Sequence, residues 1–237
     1  MSCSASRQLA SLTLTWDHTT TALFAHFSDK PWAMLLDSAN ADHVDAKYDV
    51  IVCSPVATIV TESGLSRITH YDDSREHNVE TVNIDPFQVI SQTLNSYFPQ
   101  PLSSQYPFSG GAMGCFSYDL GRQIENLPEI AQKDIDLPEM NIGLYMWALI
   151  YDYKIASWTL VHYQGQEALL QTLADLESLI SKPSAPDKEH FCLTSDWRNQ
   201  ISRDQYLEKF NKVQRYLNSG DCYQINLTHR FEADYLG

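Results

Sequence analysis

Basic residues are scarce in this sequence. Sixteen Lys and Arg stand against 30 Asp and Glu, giving a formal net charge of −14 over 237 residues. A nucleic-acid face needs clustered Lys and Arg to neutralise phosphates, so no nucleic-acid partner is expected. The acidity itself reads as solubility. Cysteine is sparse and odd in number. Cys3, Cys53, Cys115, Cys192 and Cys222 make five, and no two have C-x-x-C spacing. That argues against a zinc site and against a dense disulfide framework, and it fits reduced thiols in a cytoplasmic protein. Long apolar runs are missing, so no membrane span is expected. The N-terminal segment MSCSASRQLASLTLTWDHTT has one Arg and no long apolar core, unlike a signal peptide. There is no internal repeat and no low-complexity tract.

What is present is ordinary globular material, 43% hydrophobic and 11% aromatic, enough for a sizeable core. The segments SLTLTW, TALFAHF and PWAMLLDS read as strands, the last buried. KYDVIVCSPVATIVTES reads as two strands broken at Ser54-Pro55, and GLSRITHYDD as a hairpin return after Ser63-Gly64. DPFQVISQTLNSYF is a helix with Asp85 as N-cap, Pro86 at the first position and Gln88 closing a capping box. Its apolar stripe is Val89, Ile90, Leu94 and Phe98. MNIGLYMWALIYDY reads as one long strand, forming a hairpin with ASWTLVHY around Lys154.

A second helix, QEALLQTLADLESLIS, aligns Leu169, Leu173, Leu176 and Ile180 on one face. LTSDW is short and extended. SRDQYLEKFNKVQRYLNSG is the best-marked helix, with a Ser202–Gln205 capping box, apolar residues Tyr206, Phe210, Val213 and Leu217, and Gly220 as left-handed stop. The helix hands over to a polar segment, SGDCYQINLTHRF, read as a strand. Strands mixed with a few helices, without βαβ alternation, predict an α+β fold with largely antiparallel sheets. The Pro- and Ser-rich stretch 182–189 is the clearest linker. It separates a subdomain over 1–181 from residues 190–237, or forms a surface loop within one domain.

Candidate chemistry is thin. FSGGAMGCFSYDLGRQIENLP clusters Gly110, Gly111, Gly114 and Gly121. No Lys-Ser or Lys-Thr follows, and the dinucleotide spacing fails. A glycine-rich strand where another backbone approaches closely, followed by a Tyr118-Asp119 turn, is the plainer reading. Glu129, Asp134, Asp136 and Glu139 alternate with apolar residues and prolines, as a solvated loop does. The eight histidines are scattered, and G-x-S-x-G is absent. More suggestive is WAMLLDSANADHVDAKYDVIV. Asp37 and Ser38 follow an apolar run, and Asp45, Lys47, Tyr48 and Asp49 come next. Such a strand end suits a small zwitterion: carboxylates and carbonyls accept from its ammonium, and an apolar pocket takes its side chain. A plain strand–loop–strand connection explains the same residues.

Three stretches, PWAMLLDS, FSGGAMGCFSYDLGRQIENLP with WALIYD, and SGDCYQINLTHRF, occur here in the order seen in the chorismate-utilising enzymes. The resemblance runs from about Thr13 to the C-terminus. It is strongest to the aminodeoxychorismate synthase component I (para-aminobenzoate synthase) branch of that family. It implies an α+β fold of two sheets packed as a sandwich with helices outside. It implies amination of chorismate with loss of its 4-hydroxyl, giving 4-amino-4-deoxychorismate for folate synthesis. Mg²⁺ is the implied cofactor, and a glutaminase subunit the implied partner and source of ammonia.

The family's metal carboxylates, chorismate-binding Arg and Tyr, and Pro-Ile-Lys-Gly-Thr motif, whose lysine is the implied nucleophile, are not found in this sequence. The chain is therefore expected to be an N-terminal portion without catalytic residues or metal ligands, ending one strand into the catalytic region that begins near residue 190, and inactive by itself. What the resemblance carries onto this portion is a tryptophan-like amino-acid pocket. Its residues here are Leu36 and Ser38, then Asp45, Ala46, Lys47 and Tyr48, with Tyr223 and Asn226. The alternatives are the same portion of an anthranilate synthase component I, and a non-catalytic amino-acid-binding module.

Overall fold

The computed structural model describes residues 9–39, 43–72, 75–128, 130, 135–182 and 191–237. The chain divides into two compact units, Met1–Ser184 and Ala185–Gly237. The first unit begins with β1 (Ala10–Leu14), α1 (Thr20–Phe24), β2 (Met34–Leu36), β3 (Tyr48–Val52), β4 (Ala57–Glu62), β5 (Leu65–Asp72) and β6 (Arg75–Val82). It continues with α2 (Pro86–Tyr97), β7 (Gly111–Phe116), a 3-10 helix (Tyr118–Gln123), β8 (Met140–Tyr145), β9 (Trp147–Asp152), β10 (Ser157–His162) and α3 (Gln166–Ile180).

The strands form two five-stranded antiparallel sheets, ordered β1-β10-β9-β3-β2 and β6-β5-β4-β8-β7. The fold is α+β. In the first sheet, strand alternation sends Ile51, Leu149, Trp158 and Leu160 to one face, where Leu23 and Phe27 from the α1 region and Leu169 and Leu176 of α3 cover them. The opposite face, with Val50, Val52, Ala148, Ile150 and Val161, packs against Met113 and Tyr145 of the second sheet. Val89 of α2 covers Ile59, Ile142 and Leu144 of the second sheet.

The second unit holds β11 (Cys192–Leu193), β12 (Arg198–Asn199), α4 (Arg203–Ser219), β13 (Phe231–Glu232) and β14 (Tyr235–Leu236). β11 pairs with β14, and β12 with β13. Arg198 bridges both oxygens of Asp234, at 3.0 and 3.3 Å. This pairing holds the Asp234 carboxyl below its ordinary range.

Local chemistry explains the elements read correctly. Ser63 and Gly64 are both left-handed, the two-residue hairpin turn that joins β4 and β5. Gly114 lies where a Cβ would fall 2.0 Å from the Asn141 carbonyl oxygen, a close backbone approach that tolerates no side chain. Ser202 and Gln205 make the reciprocal capping box of α4, and Gly220 ends it with φ 79°.

Several expectations need correction. TALFAHF is the α1 region and not a strand. Thr19 accepts from the Ala22 amide, and Leu23 and Phe27, one helical turn apart, are fully buried. A short apolar run suits either periodicity, and here the cap decides. PWAMLLDS contributes only a three-residue strand at a sheet edge, so Leu36 is 53% exposed. MNIGLYMWALIYDY is two strands, because the chain changes sheets at Met146. β6 was not anticipated, since REHNVETV has no apolar alternation. Asp85 caps the Phe87 amide at 2.9 Å instead of that of Gln88. In the second unit, CYQINLTH forms no strand; pairing begins only at Phe231. A strand requires a neighbour for its backbone groups, and among the described residues this stretch has none.

Glu129 and Asp134 of the acidic loop and residues 183–190 of the linker lie outside the described residues. Among the described residues four cysteines are free, of which Cys53 is buried; burial pushes its thiol up to about 11. No helix among them is long and apolar enough to cross a membrane.

Candidate functional site at the Ser38 turn

The turn after β2 is pinned from below by one buried carboxylate. Asp49 lies on β3 and is fully buried, on the same face as Ile51. Its Oδ1 accepts from the Ser38 amide at 2.8 Å. Its Oδ2 accepts from the Thr20 hydroxyl at 2.5 Å and from the Tyr153 hydroxyl at 2.6 Å. Three donors from α1, the Ser38 turn and the β9–β10 connection therefore converge on one anion, as a buried carboxylate requires. The Tyr153 phenol is pushed up to about 12 by burial and by the Asp49 charge, so it remains a proton donor at neutral pH.

Ser38 uses its side chain as well. Its hydroxyl donates to the Tyr48 carbonyl at 2.6 Å, leaving its oxygen lone pairs able to accept. Asp37 accepts from the Ala39 amide at 2.6 Å, closing a turn in which Ala39 is left-handed. On the return loop, the Lys47 amide donates to the Asp45 carbonyl, and the Lys47 carbonyl receives the Tyr153 amide. A cleft of about 350 Å3 opens beside the turn, lined by Thr19, Thr20, Asp37, Ala39, Tyr151 and Tyr153.

The anticipated site residues are thus partly assembled. Ser38 and Tyr48 are in contact and half-buried. Leu36, Asp45 and Lys47 are exposed and Ala46 is half-buried, on the flanks of the same turn. Tyr223 and Asn226 belong to the second unit, where both are exposed, Tyr223 fully. Sequence reasoning missed Asp49, Thr20 and Tyr153 as the anchors. The available signal was an Asp at an inward position of KYDVIV, flanked by apolar residues, which demands partners. Among the described residues no group of three or more His, Cys, Asp or Glu side chains could hold a metal ion, so they do not fit a Mg²⁺ site.

Residues 33–237 match the family described as chorismate binding enzyme. The chain belongs to that family. Within that family it is 43% identical, over 96% of its length, to aminodeoxychorismate synthase component 1 of Escherichia coli (strain K12), and it covers 48% of that relative. It is 25% identical, over 88% of its length, to anthranilate synthase component 1 of Acetivibrio thermocellus, covering 44% of it. The chain thus spans about half the length of the curated relatives it matches. Its fold resembles the crystal structure of anthranilate synthase component I from Streptococcus pneumoniae TIGR4, with TM-score 0.57 and 21% identity over 91% of this chain and 47% of that one.

Proposed function

We propose that this chain serves an aminodeoxychorismate synthase as part of component I. The reaction replaces the 4-hydroxyl of chorismate with an amino group, using ammonia released by a glutaminase subunit, and the product leads to folate. The observation that carries this reading is the contrast in identity: 43% to an aminodeoxychorismate synthase component against 25% to an anthranilate synthase component. Mg²⁺ belongs to this reading as a cofactor of the whole synthase, and the described residues of this chain offer no site for it. The 237 residues contain no Pro-Ile-Lys-Gly-Thr stretch. The chain's own contribution is therefore framework and ligand binding, with residues 1–181 carrying the amino-acid site, 182–189 the linker, and 190–237 the start of the chorismate-binding region. Disrupting the gene in its host tests the reading. Growth should then require 4-aminobenzoate, and rescue by tryptophan alone would sink it.

On the same reading, Leu36, Ser38, Asp45, Ala46, Lys47 and Tyr48 hold an amino acid of tryptophan type. The support is the rigidity of the Ser38 turn, pinned through both its amide and its hydroxyl. A prealigned acceptor avoids the cost of ordering a loop on binding. Calorimetric titration of tryptophan into wild type and Ser38→Ala checks it: the variant should bind at least ~10-fold more weakly, since a lost hydrogen bond to a charged ligand is worth about 1.5–3 kcal/mol. Equal affinities would rule the site out.

A further inference from the structure

A second cavity lies where the end of β3 faces α3. Its volume is about 320 Å3. Trp147, Leu176 and Leu179 supply an apolar lining, and all three belong to the packed layer between the sheet and α3. Lys30, Ser54 and Asp175 supply the polar groups. The frame around Lys30 is fixed by backbone bonds. The Lys30 amide donates to Phe27 at 2.8 Å, and the Ser54 amide donates to Pro31 at 3.2 Å, tying the exit of α1 to the end of β3. Ser54 has φ 52°, a left-handed conformation uncommon outside glycine, and it turns the chain at the wall of the cavity. Lys30 is half-buried and pairs with no carboxylate among the described residues.

We propose that this cavity binds a small aromatic monocarboxylic acid. An ammonium that is partly withdrawn from water and has no paired carboxylate is a carboxylate receptor, and the Cys53 thiol that Lys30 acts on in the same lining stays neutral because burial raises it to about 11. Trp147 and Leu179 offer the flat and aliphatic surfaces that a single ring packs against, and the volume lies at the lower end of small-molecule sites. Asp175 rejects a second negative charge and accepts from a donor group on the ring. The net charge of −14 repels small anions in general, and Lys30 is the basic side chain in the lining of this cavity. The site is separate from the Ser38 turn and does not depend on the function proposed above.

Benzoate is the probe, titrated into the 237-residue chain and followed by calorimetry and by the chemical shift of the Trp147 indole N–H. Saturable binding with the shift change at Trp147 is expected. Lys30→Met should weaken it at least ~10-fold, and Lys30→Gln serves as a second variant should the first fail to fold. Terephthalate, a dianion of the same ring, should bind wild type at least ~5-fold more weakly than benzoate, and Asp175→Asn should remove that discrimination. Absence of saturable benzoate binding to folded wild type would overturn the proposal. So would equal affinity in the Lys30 variants, a Trp147 signal that never moves, or terephthalate binding as well as benzoate.

Discussion

α2 and α4 teach opposite lessons about the same kind of element. α4 carries the fuller local code: seventeen residues, a reciprocal capping box and a left-handed glycine stop. Yet no residue of α4 is buried, and Phe210 is 42% exposed. α2 is shorter and has a single side-chain cap, but it buries Pro86, Val89 and Thr93 over the second sheet. Caps decide where a helix starts and stops, because they satisfy its terminal backbone groups. Burial depends on a facing surface. The first unit has one, with two five-stranded sheets exchanging apolar faces with each other and with helices. The described part of the second unit consists of two-residue strand pairs and one helix, with its chemistry at the surface.

The comparison is sharpest where the first unit is least forgiving. Gly114→Val should abolish its folding, at a cost of about 5 kcal/mol or more, because the added carbons collide with the Asn141 and Ile142 backbone. Recovery of soluble, cooperatively melting protein would break the argument. Asp49→Ala should cost about 3–5 kcal/mol in denaturant unfolding, since it strands the Ser38, Thr20 and Tyr153 donors. Asp49→Asn should cost less, because the amide oxygen still accepts.

His162 gives the pH dependence. It is buried, its Nδ1 accepts from the Gln164 amide, and burial lowers its pKa to about 4. Between about pH 6.5 and 4 the unfolded chain binds a proton that the folded one does not. Its stability contribution is therefore complete above pH 6.5 and falls as the pH drops towards 4, by about 3 kcal/mol in all. Unfolding curves of wild type and His162→Asn across that window should diverge, and parallel curves would refute the assignment. The smallest effect is the most direct contrast of the two helices. Val89→Ala in α2 should cost about 2 kcal/mol, and Val213→Ala in α4 less than about 0.5 kcal/mol. Equal losses would mean that α4 is buried in solution.

Legibility followed the range of the interaction. The caps at Asp85 and Ser202, the Ser63-Gly64 turn and the tight packing at Gly114 are each written within a few residues. The exchange of sheets at Met146 is not, because the stretch from Ile142 to Tyr151 carries no polar side chain other than tyrosine hydroxyls and no turn residue marks the break. β6 was hidden for the opposite reason: an edge strand needs only one neighbour and little apolar character. At the candidate site, LLDS was visible as a strand end bearing polar groups. Its anchor was not, since Thr20, Asp49 and Tyr153 lie 29 and 104 residues apart along the chain from Asp49 outward.

The sequence by itself determined the α+β class, the extents of α2, α3 and α4, the Ser63-Gly64 turn and membership of the chorismate-binding family, because each rests on contiguous pattern or local hydrogen bonding. Only the tertiary structure decided which strands share a sheet, that TALFAHF coils instead of extending, and that Asp49 holds the Ser38 turn. Those outcomes depend on which distant groups meet once the apolar faces are buried. A carboxylate withdrawn from water is stable only where the fold brings donors to it.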